Sequence, residues 1–368
     1  MQTLHSNIKA FKHTWPDIVI PSGQAFDLTD YSVVYHTSSM FFAFAHNFWR
    51  ITPVLLLPFT FLLISVVACK PADLTQVGTA NKPLVLKILP GQGIGASDKL
   101  AQLTQKQLER YGIAAHVSTT TDVPSLVQEI GAGKTHGALF NTLGYVVARK
   151  WTHARPHLRL IFRSGKSVYR GKIIARTDSG INQPSDLTGR RIAFKDRYST
   201  TGFLLPRYYF RQNKILPAQT EFLASYKNVV QGVYDKSFDA GAIYYDDPDA
   251  SGKARDARSE LIDTPDATTA LKIIADTGEL PSGPLALDDR LTPTLKESIQ
   301  RALLAAITED PEFKDTLMDA LGAIGFIKAS DEDYAQLPSL ISGAGLEEED
   351  LIEKGYTLKI REALQRIE

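Results

Sequence analysis

The sequence predicts an α/β protein with room for two domains, and three observations carry that prediction. Its 368 residues are 43% hydrophobic and 22% charged, enough chain and enough apolar matter for two ordinary cores. From Pro83 onward, short apolar runs alternate with amphipathic ones, as strands and helices do around a largely parallel sheet. The third observation is the stretch 192–206, IAFKDRYSTTGFLLP, which passes from an apolar strand through a polar turn into hydroxyl residues and an apolar-aromatic run.

Hydroxyls just ahead of an apolar run signal a helix N-terminus, because their oxygens accept from the orphan amides of the first turn. Such a start also seats an anion. The positive end of the helix dipole and the donors of Ser199, Thr200, Thr201 and Gly202 converge there. Read alone, these residues fit either plain capping or anion binding.

The front of the chain has its own logic. Residues 51–68, ITPVLLLPFTFLLISVVA, are almost wholly apolar, follow Arg50 and precede Cys69. A spanning helix needs about 20 apolar residues. This run is shorter, holds Pro53 and Pro58 and ends on small residues, which reads as a secretory signal, with an uncleaved anchor as the alternative. The tetrad Val66-Val67-Ala68-Cys69 resembles a bacterial lipobox, so Cys69 is the expected site of lipid attachment. It is the sole cysteine, which excludes a disulfide elsewhere. Residues 1–39 lack a basic n-region, and Met40 is the expected start, leaving 1–39 as a non-native or disordered extension, 40–68 as signal peptide and 69–82 as a polar tether.

Along the exported part, residues 83–89 read as a strand, followed by Gly91-Gln92-Gly93-Ile94-Gly95 as a tight turn and a helix over 98–111. The third glycine falls at the wrong spacing for a dinucleotide fingerprint. A strand over 114–118, a helix from Thr121-Asp122-Val123-Pro124 to Gly131, a strand over 137–140 and a helix over 142–150 come next. Strands are expected at 158–162, 172–175, 192–194, 240–244 and 271–274, and helices after Gly202 and over 228–235, 297–308 and 311–321. The acid-rich start and basic end of 345–368 suit a last surface helix, since those charges agree with its dipole.

Several functions are excluded. Lys plus Arg and Asp plus Glu are 41 each, so no basic field recruits nucleic acid. His153 and His157 flank Pro156, which spoils a shared helical face for zinc. Asp246, Asp247 and Asp249 lack the spacing of a calcium loop and read as a hinge turn. There is no Gly-x-Ser-x-Gly elbow. Neither an enzyme nor a cofactor is expected.

Taken together, an ordered set of short motifs resembles the phosphate/phosphite/phosphonate-type substrate-binding proteins of bacterial ABC transporters. The carriers include Leu143-Gly144-Tyr145, Tyr169 with Ile173-Ile174, Asp186-Leu187-Thr188-Gly189, Ser199-Thr200-Thr201-Gly202, Val229-Val230-Gln231-Gly232 and Leu280-Pro281-Ser282-Gly283. The resemblance implies a two-lobed type II periplasmic-binding-protein fold, each lobe a mixed sheet flanked by helices, with two hinge crossings. It implies lobe 1 over 83–175 plus 250–345, lobe 2 over 176–249 and a C-terminal helix over 346–368.

In such a protein the Ser-Thr-Thr-Gly turn takes the oxyanion, Tyr169 completes the grip from the other lobe, and Asp246 meets a protonated ligand oxygen or an amine. Tyr226 stands where the family usually carries histidine, Val123 replaces a tyrosine, and Asn141 and His136 replace a glycine and an aspartate. Lys195, Arg197 and Lys227 are the candidate replacement cations. The expected protein is a monomer tethered to the membrane by lipid, binding a small oxyanion and docking on an ABC permease, or alternatively on a sensor kinase.

Overall fold

Strand and helix segments alternate as their apolar periods dictate, and the strands pair into two sheets. The computed structural model describes residues 73–90, 94–260 and 266–352, all within one unit, Val66–Glu368. The strands are β1 (Leu84–Ile88), β2 (Ala115–Thr119), β3 (Gly137–Leu139), β4 (Ala154–Phe162), β5 (Val168–Arg176), β6 (Arg191–Phe194), β7 (Gln219–Phe222), β8 (Ala240–Asp246), β9 (Arg255–Asp256), β10 (Leu271–Pro281), β11 (Pro284–Asp288) and β12 (Ala323–Lys328). The helices are α1 (Ile94–Arg110), α2 (Val123–Gly131), α3 (Thr142–Trp151), α4 (Leu205–Gln212), α5 (Tyr226–Tyr234), α6 (Ala257–Glu260), α7 (Ala267–Ala270), α8 (Pro293–Glu309), α9 (Pro311–Leu321) and α10 (Leu337–Gly343).

The first sheet runs β12-β4-β11-β3-β1-β2 and the second β10-β5-β8-β6-β7, with β9 paired to β8. Both are mixed. β1 is parallel to β2 and β3, while β11 and β12 run antiparallel to β4. In the second sheet β6 is parallel to β7 and β8, and β5 is antiparallel to β8 and β10. β11 and β12 run against the other strands of the first sheet and β5 against those of the second, so the sheets are mixed, as the resemblance implies, and not largely parallel as the alternation alone suggests.

Alternation along each strand feeds two cores per lobe. Leu84, Leu86 and Ile88 of β1 meet Leu100 and Leu108 of α1 and Leu317 of α9 on one face. On the other, Ala138 and Phe140 meet Val127 of α2 and Val147 of α3. Full burial of a side chain such as leucine is worth about 2 kcal/mol. Leu204 and Leu205, which come after β6 of the second sheet, join that second cluster and tie the lobes.

The chain passes from the first sheet to the second between β4 and β5 and returns between β10 and β11. The first crossing is therefore 163–167 and the second Ser282-Gly283, not the expected positions near 175 and 250. Strands β5 and β10, assigned from sequence to lobe 1, pair with each other in the second sheet. Ser282 fastens the crossings together: its N–H donates to Ser167 O at 2.9 Å and its Oγ to Leu160 O at 2.7 Å, while Tyr334 Oη donates to its carbonyl at 2.8 Å.

The expected tether is also corrected. Leu74 and Val77 are buried in the α1-side core, and Ala114 N–H donates to Gly78 O, so 73–82 packs onto the lobe. Asp246 and Asp247 lie at the start of the β8–β9 hairpin and not on a crossing, although Asp247 and Asp249 are ion-paired with Lys166 and Arg163 of the first crossing. The signal segment 40–68, the extension 1–39, Cys69 and most of the expected final helix lie outside the described residues. Among the described residues, no helix is long and apolar enough to cross a membrane.

Candidate functional site

The turn after β6 is closed by Lys195 N–H donating to Gly202 O, and Ser199 caps the helical turn beyond it by accepting Gly202 N–H at 3.0 Å. That first turn is of π type: Leu204 N–H reaches Ser199 O and Leu205 N–H reaches Thr200 O. Such one-turn widenings recur at functional sites. Amides in a first turn have no acceptor within their own helix. Gly202 admits no side chain, since a Cβ there would stand 2.7 Å from both Lys195 Cβ and Ser199 Oγ.

Three hydroxyls meet at this turn. Tyr226, the first residue of α5, is held by the Ser225 cap, and its Oη lies 2.8 Å from Ser199 Oγ and 2.7 Å from Thr201 Oγ1. Three hydroxyl protons serve these two contacts, so one remains for an acceptor outside the trio. Lys195 Nζ sits 5.5 Å from the Tyr226 ring centroid and pairs with Asp196. Burial pushes the phenols of Tyr226 and Tyr169 up to about 12, so both stay protonated donors at neutral pH.

A second hydroxyl chain runs between the lobes with a fixed direction. Leu143 N–H, in the first turn of α3, donates to Thr200 Oγ1 at 3.1 Å. Thr142 Oγ1 donates to Pro281 O at 2.7 Å. Tyr169 Oη lies 3.1 Å from Thr142 Oγ1. Because the Thr142 proton is spent on Pro281, Tyr169 donates to Thr142.

These groups border a cavity of about 120 Å³ between the sheets. Ser199, Thr200, Thr201, Tyr226 and Tyr169 all line it, as do Lys195, Tyr244 and Arg255. Ser199, Thr200 and Thr201 are only 4%, 3% and 1% exposed. The structure thus brings together every expected contact side chain except Asp246. That carboxylate is 1% exposed, does not line the cavity, and is ion-paired at 2.9 Å with Arg255, its cross-strand partner on β9. Of the candidate cations, Lys195 reaches the cavity, whereas Arg197 and Lys227 are exposed away from it.

Sequence reading missed Arg255. Its guanidinium lies 4.6 Å from the Tyr244 ring centroid, and Tyr244 packs edge-on against Tyr226. It also fills the space over Gly322 at the end of α9, where a Cβ would overlap it. A lone arginine beyond a polar hairpin leaves no spacing signal. Among the described residues, no group of three or more His, Cys, Asp or Glu is placed to hold a metal ion.

Residues 96–334 match the family described as ABC transporter, phosphonate, periplasmic substrate-binding protein. The phosphate-import protein PhnD of Mycolicibacterium smegmatis is 27% identical over 248 residues, 63% of this chain and 75% of that protein. PhnD1 of Prochlorococcus marinus, solved in complex with methylphosphonate, aligns with a TM-score of 0.59 at 19% identity, over 71% of this chain and 98% of that one. A binding-protein component of an ABC phosphonate transporter from Pseudomonas aeruginosa gives 0.58 at 18% identity, over 77% and 96%. At such identities the two structures speak for the fold, the two-lobed type II arrangement of periplasmic binding proteins.

Proposed function

We infer the role of this chain from one premise: it belongs to the family of periplasmic substrate-binding proteins of phosphonate ABC transporters. Such proteins bind a solute rather than transform it. The reading the site supports best is a receptor for a small phosphonate- or phosphate-like oxyanion that delivers it to an ABC permease. The oxyanion sits on the first-turn amides and hydroxyls of Ser199–Gly202, with Tyr226 beside it and Tyr169 of β5, which belongs to the second sheet with the Ser199 turn and not, as expected, to the other lobe. The observation that carries this reading is the hydroxyl trio, with Ser199 and Thr201 buried and one proton in excess, at a helix start facing an interlobe cavity.

Hydrogen bonds to a charged group contribute about 1.5–3 kcal/mol each. Two or three therefore suffice for micromolar binding, roughly −8 kcal/mol. A ligand touching both lobes favours the closed arrangement, and the crossings absorb the motion. Asp246 acts only through Arg255, which it holds in place. Upstream, residues 40–68 serve as a signal peptide and Cys69 carries the lipid that keeps a monomeric receptor at the membrane.

The test is calorimetry with methylphosphonate on the chain carrying Ser199→Ala and Thr201→Ala. Affinity is expected to fall at least about tenfold, one hydrogen bond's worth or more, with the circular dichroism spectrum unchanged. Unaltered affinity in a folded variant moves the ligand to another place.

A further inference from the structure

Residues 329–352 tie the two lobes a third time, apart from the two crossings. The segment starts on the first lobe. Ala329 N–H donates to His157 O of β4, and Asp331 accepts from Tyr145 Oη at 2.8 Å and Arg149 Nε at 2.7 Å, both on α3. It also returns there: Lys150 of α3 pairs with Glu348 and Glu349 at 3.5 and 3.2 Å, and Leu351 and Ile352 are buried in the core that α3 feeds. Between these anchors α10 lies on α4 of the second lobe, with Leu337 and Ile341 in one cluster with Leu204 and Leu205. The carboxyl end of α10 is held from α4. Arg207 Nε donates to Ala344 O at 2.8 Å and Arg211 Nε, one turn on, to Gly343 O at 3.2 Å. Cations suit this end of a helix, where the last carbonyls lack donors of their own. Among the described residues neither arginine is ion-paired, although Arg207 is half-buried. Glycines on either side of Ala344 admit the approach. A Cβ on Gly343 would stand 2.6 Å from the Tyr208 ring, and one on Gly345 2.7 Å from the Arg211 guanidinium. Leu346 then packs on the second-lobe core that holds Phe210 and Ile215.

We propose that this segment is a strap that holds α4, and with it the turn of Ser199–Gly202, against the first lobe, which makes Arg207 and Arg211 positioning residues for binding. The π turn Thr200–Leu204 runs directly into α4 at Leu205, so the turn and the helix move as one piece. Neither arginine lines the cavity, so any effect they have on a ligand passes through the placement of α4. Because both ends of the strap are fixed to the first lobe, swinging the second lobe away pulls the guanidinium groups off their carbonyls or stretches the strap. A hydrogen bond to a charged group shifts an equilibrium roughly ten- to a hundredfold. The tie therefore favours the joined arrangement before a ligand arrives, and a receptor that is joined more of the time binds more tightly in proportion. This rests on the lobe closure proposed above and is independent of which solute is bound. The residues that match the family end at 334, so the grip of α10 on α4 lies beyond them.

The experiment is small-angle X-ray scattering of the full chain without ligand, unaltered and with Arg207→Gln plus Arg211→Gln, followed by calorimetry of both with methylphosphonate. The double variant is expected to show a larger radius of gyration and an affinity lower by about tenfold. Arg207→Lys plus Arg211→Lys, which keeps positive charge at the end of α10, is expected to recover most of both. A folded glutamine variant with unchanged radius and unchanged affinity overturns the strap, and so does a loss of stability in urea with the radius unchanged. If the unaltered chain does not bind methylphosphonate, the receptor reading fails, while the scattering still decides the strap.

Discussion

A buried and a half-buried imidazole outside the cavity set how this fold answers acid. His136, 3% exposed, accepts Val85 N–H on Nδ1 at 2.9 Å. Burial holds its pKa below the usual histidine range despite nearby Asp288, and burial does the same to His157 near Lys296. In the unfolded chain both titrate near 6.5. Above that pH both states are neutral and stability is full. As pH falls below about 6.5 the unfolded chain takes up protons that the folded one refuses, and stability drains away until the depressed folded pKa values are reached. The thermal midpoint is therefore expected to drop between pH 7.5 and 5.5, and less so in His136→Asn, which keeps an acceptor for Val85; an equal drop in both acquits His136. At this scale the hydroxyls of Ser199, Thr200 and Thr201 were legible, because capping chemistry advertises itself in residue type. The burial of Asp246 was not, because its partner Arg255 lies across a hairpin rather than at a helical or strand period.

Gly322 shows what one turn asks of its sequence. It ends α9 at φ 70°, in the left-handed region, with its N–H on Met318 O at 2.8 Å. A side chain there strains the backbone by about 1–2 kcal/mol and displaces the Arg255 guanidinium from its place over the turn. Gly322→Ala is thus expected to lower the unfolding free energy measured in urea by that amount and to weaken methylphosphonate binding as well. A stability loss with affinity intact separates Arg255 from the ligand. Helix α9 was legible to the residue because Asp310-Pro311 starts it and a glycine ends it. Four strands were not, β9 because it is only two residues long in a polar stretch. β7 is an edge strand with all four residues exposed, so it shows no alternation. β11 is buried throughout and begins at Gly283-Pro284, which reads as a turn. β12 carries Gly325 near its middle, where a sequence reading finds a break.

For the molecule entire, most strands and their order along the chain were legible in periodicity, but membership of a sheet was not. Nothing in β5 or β10 says which neighbours they will find, since an antiparallel pair of long strands suits either lobe. The resemblance located the lobes and misplaced their borders for the same reason. Attachment to the membrane belongs to this scale too. Cys69→Ser is expected to move the protein from the membrane fraction to the soluble one and to abolish incorporation of labelled fatty acid; persistence of both in the variant removes the lipid anchor.

The linkage made by Ser282 has one more outcome. Because its amide holds the second crossing to Ser167 of the first, and its hydroxyl anchors it to Leu160 of β4, the proposed closure is expected to turn both crossings as a single axle. The halves then swing about one shaft and do not twist independently. On the proposed closure, such a joint is expected to bring the Thr200 hydroxyl back to the Leu143 amide, where it stands in this structure. A single distance across the jaw, measured between two probes, is enough to report how far it stands ajar.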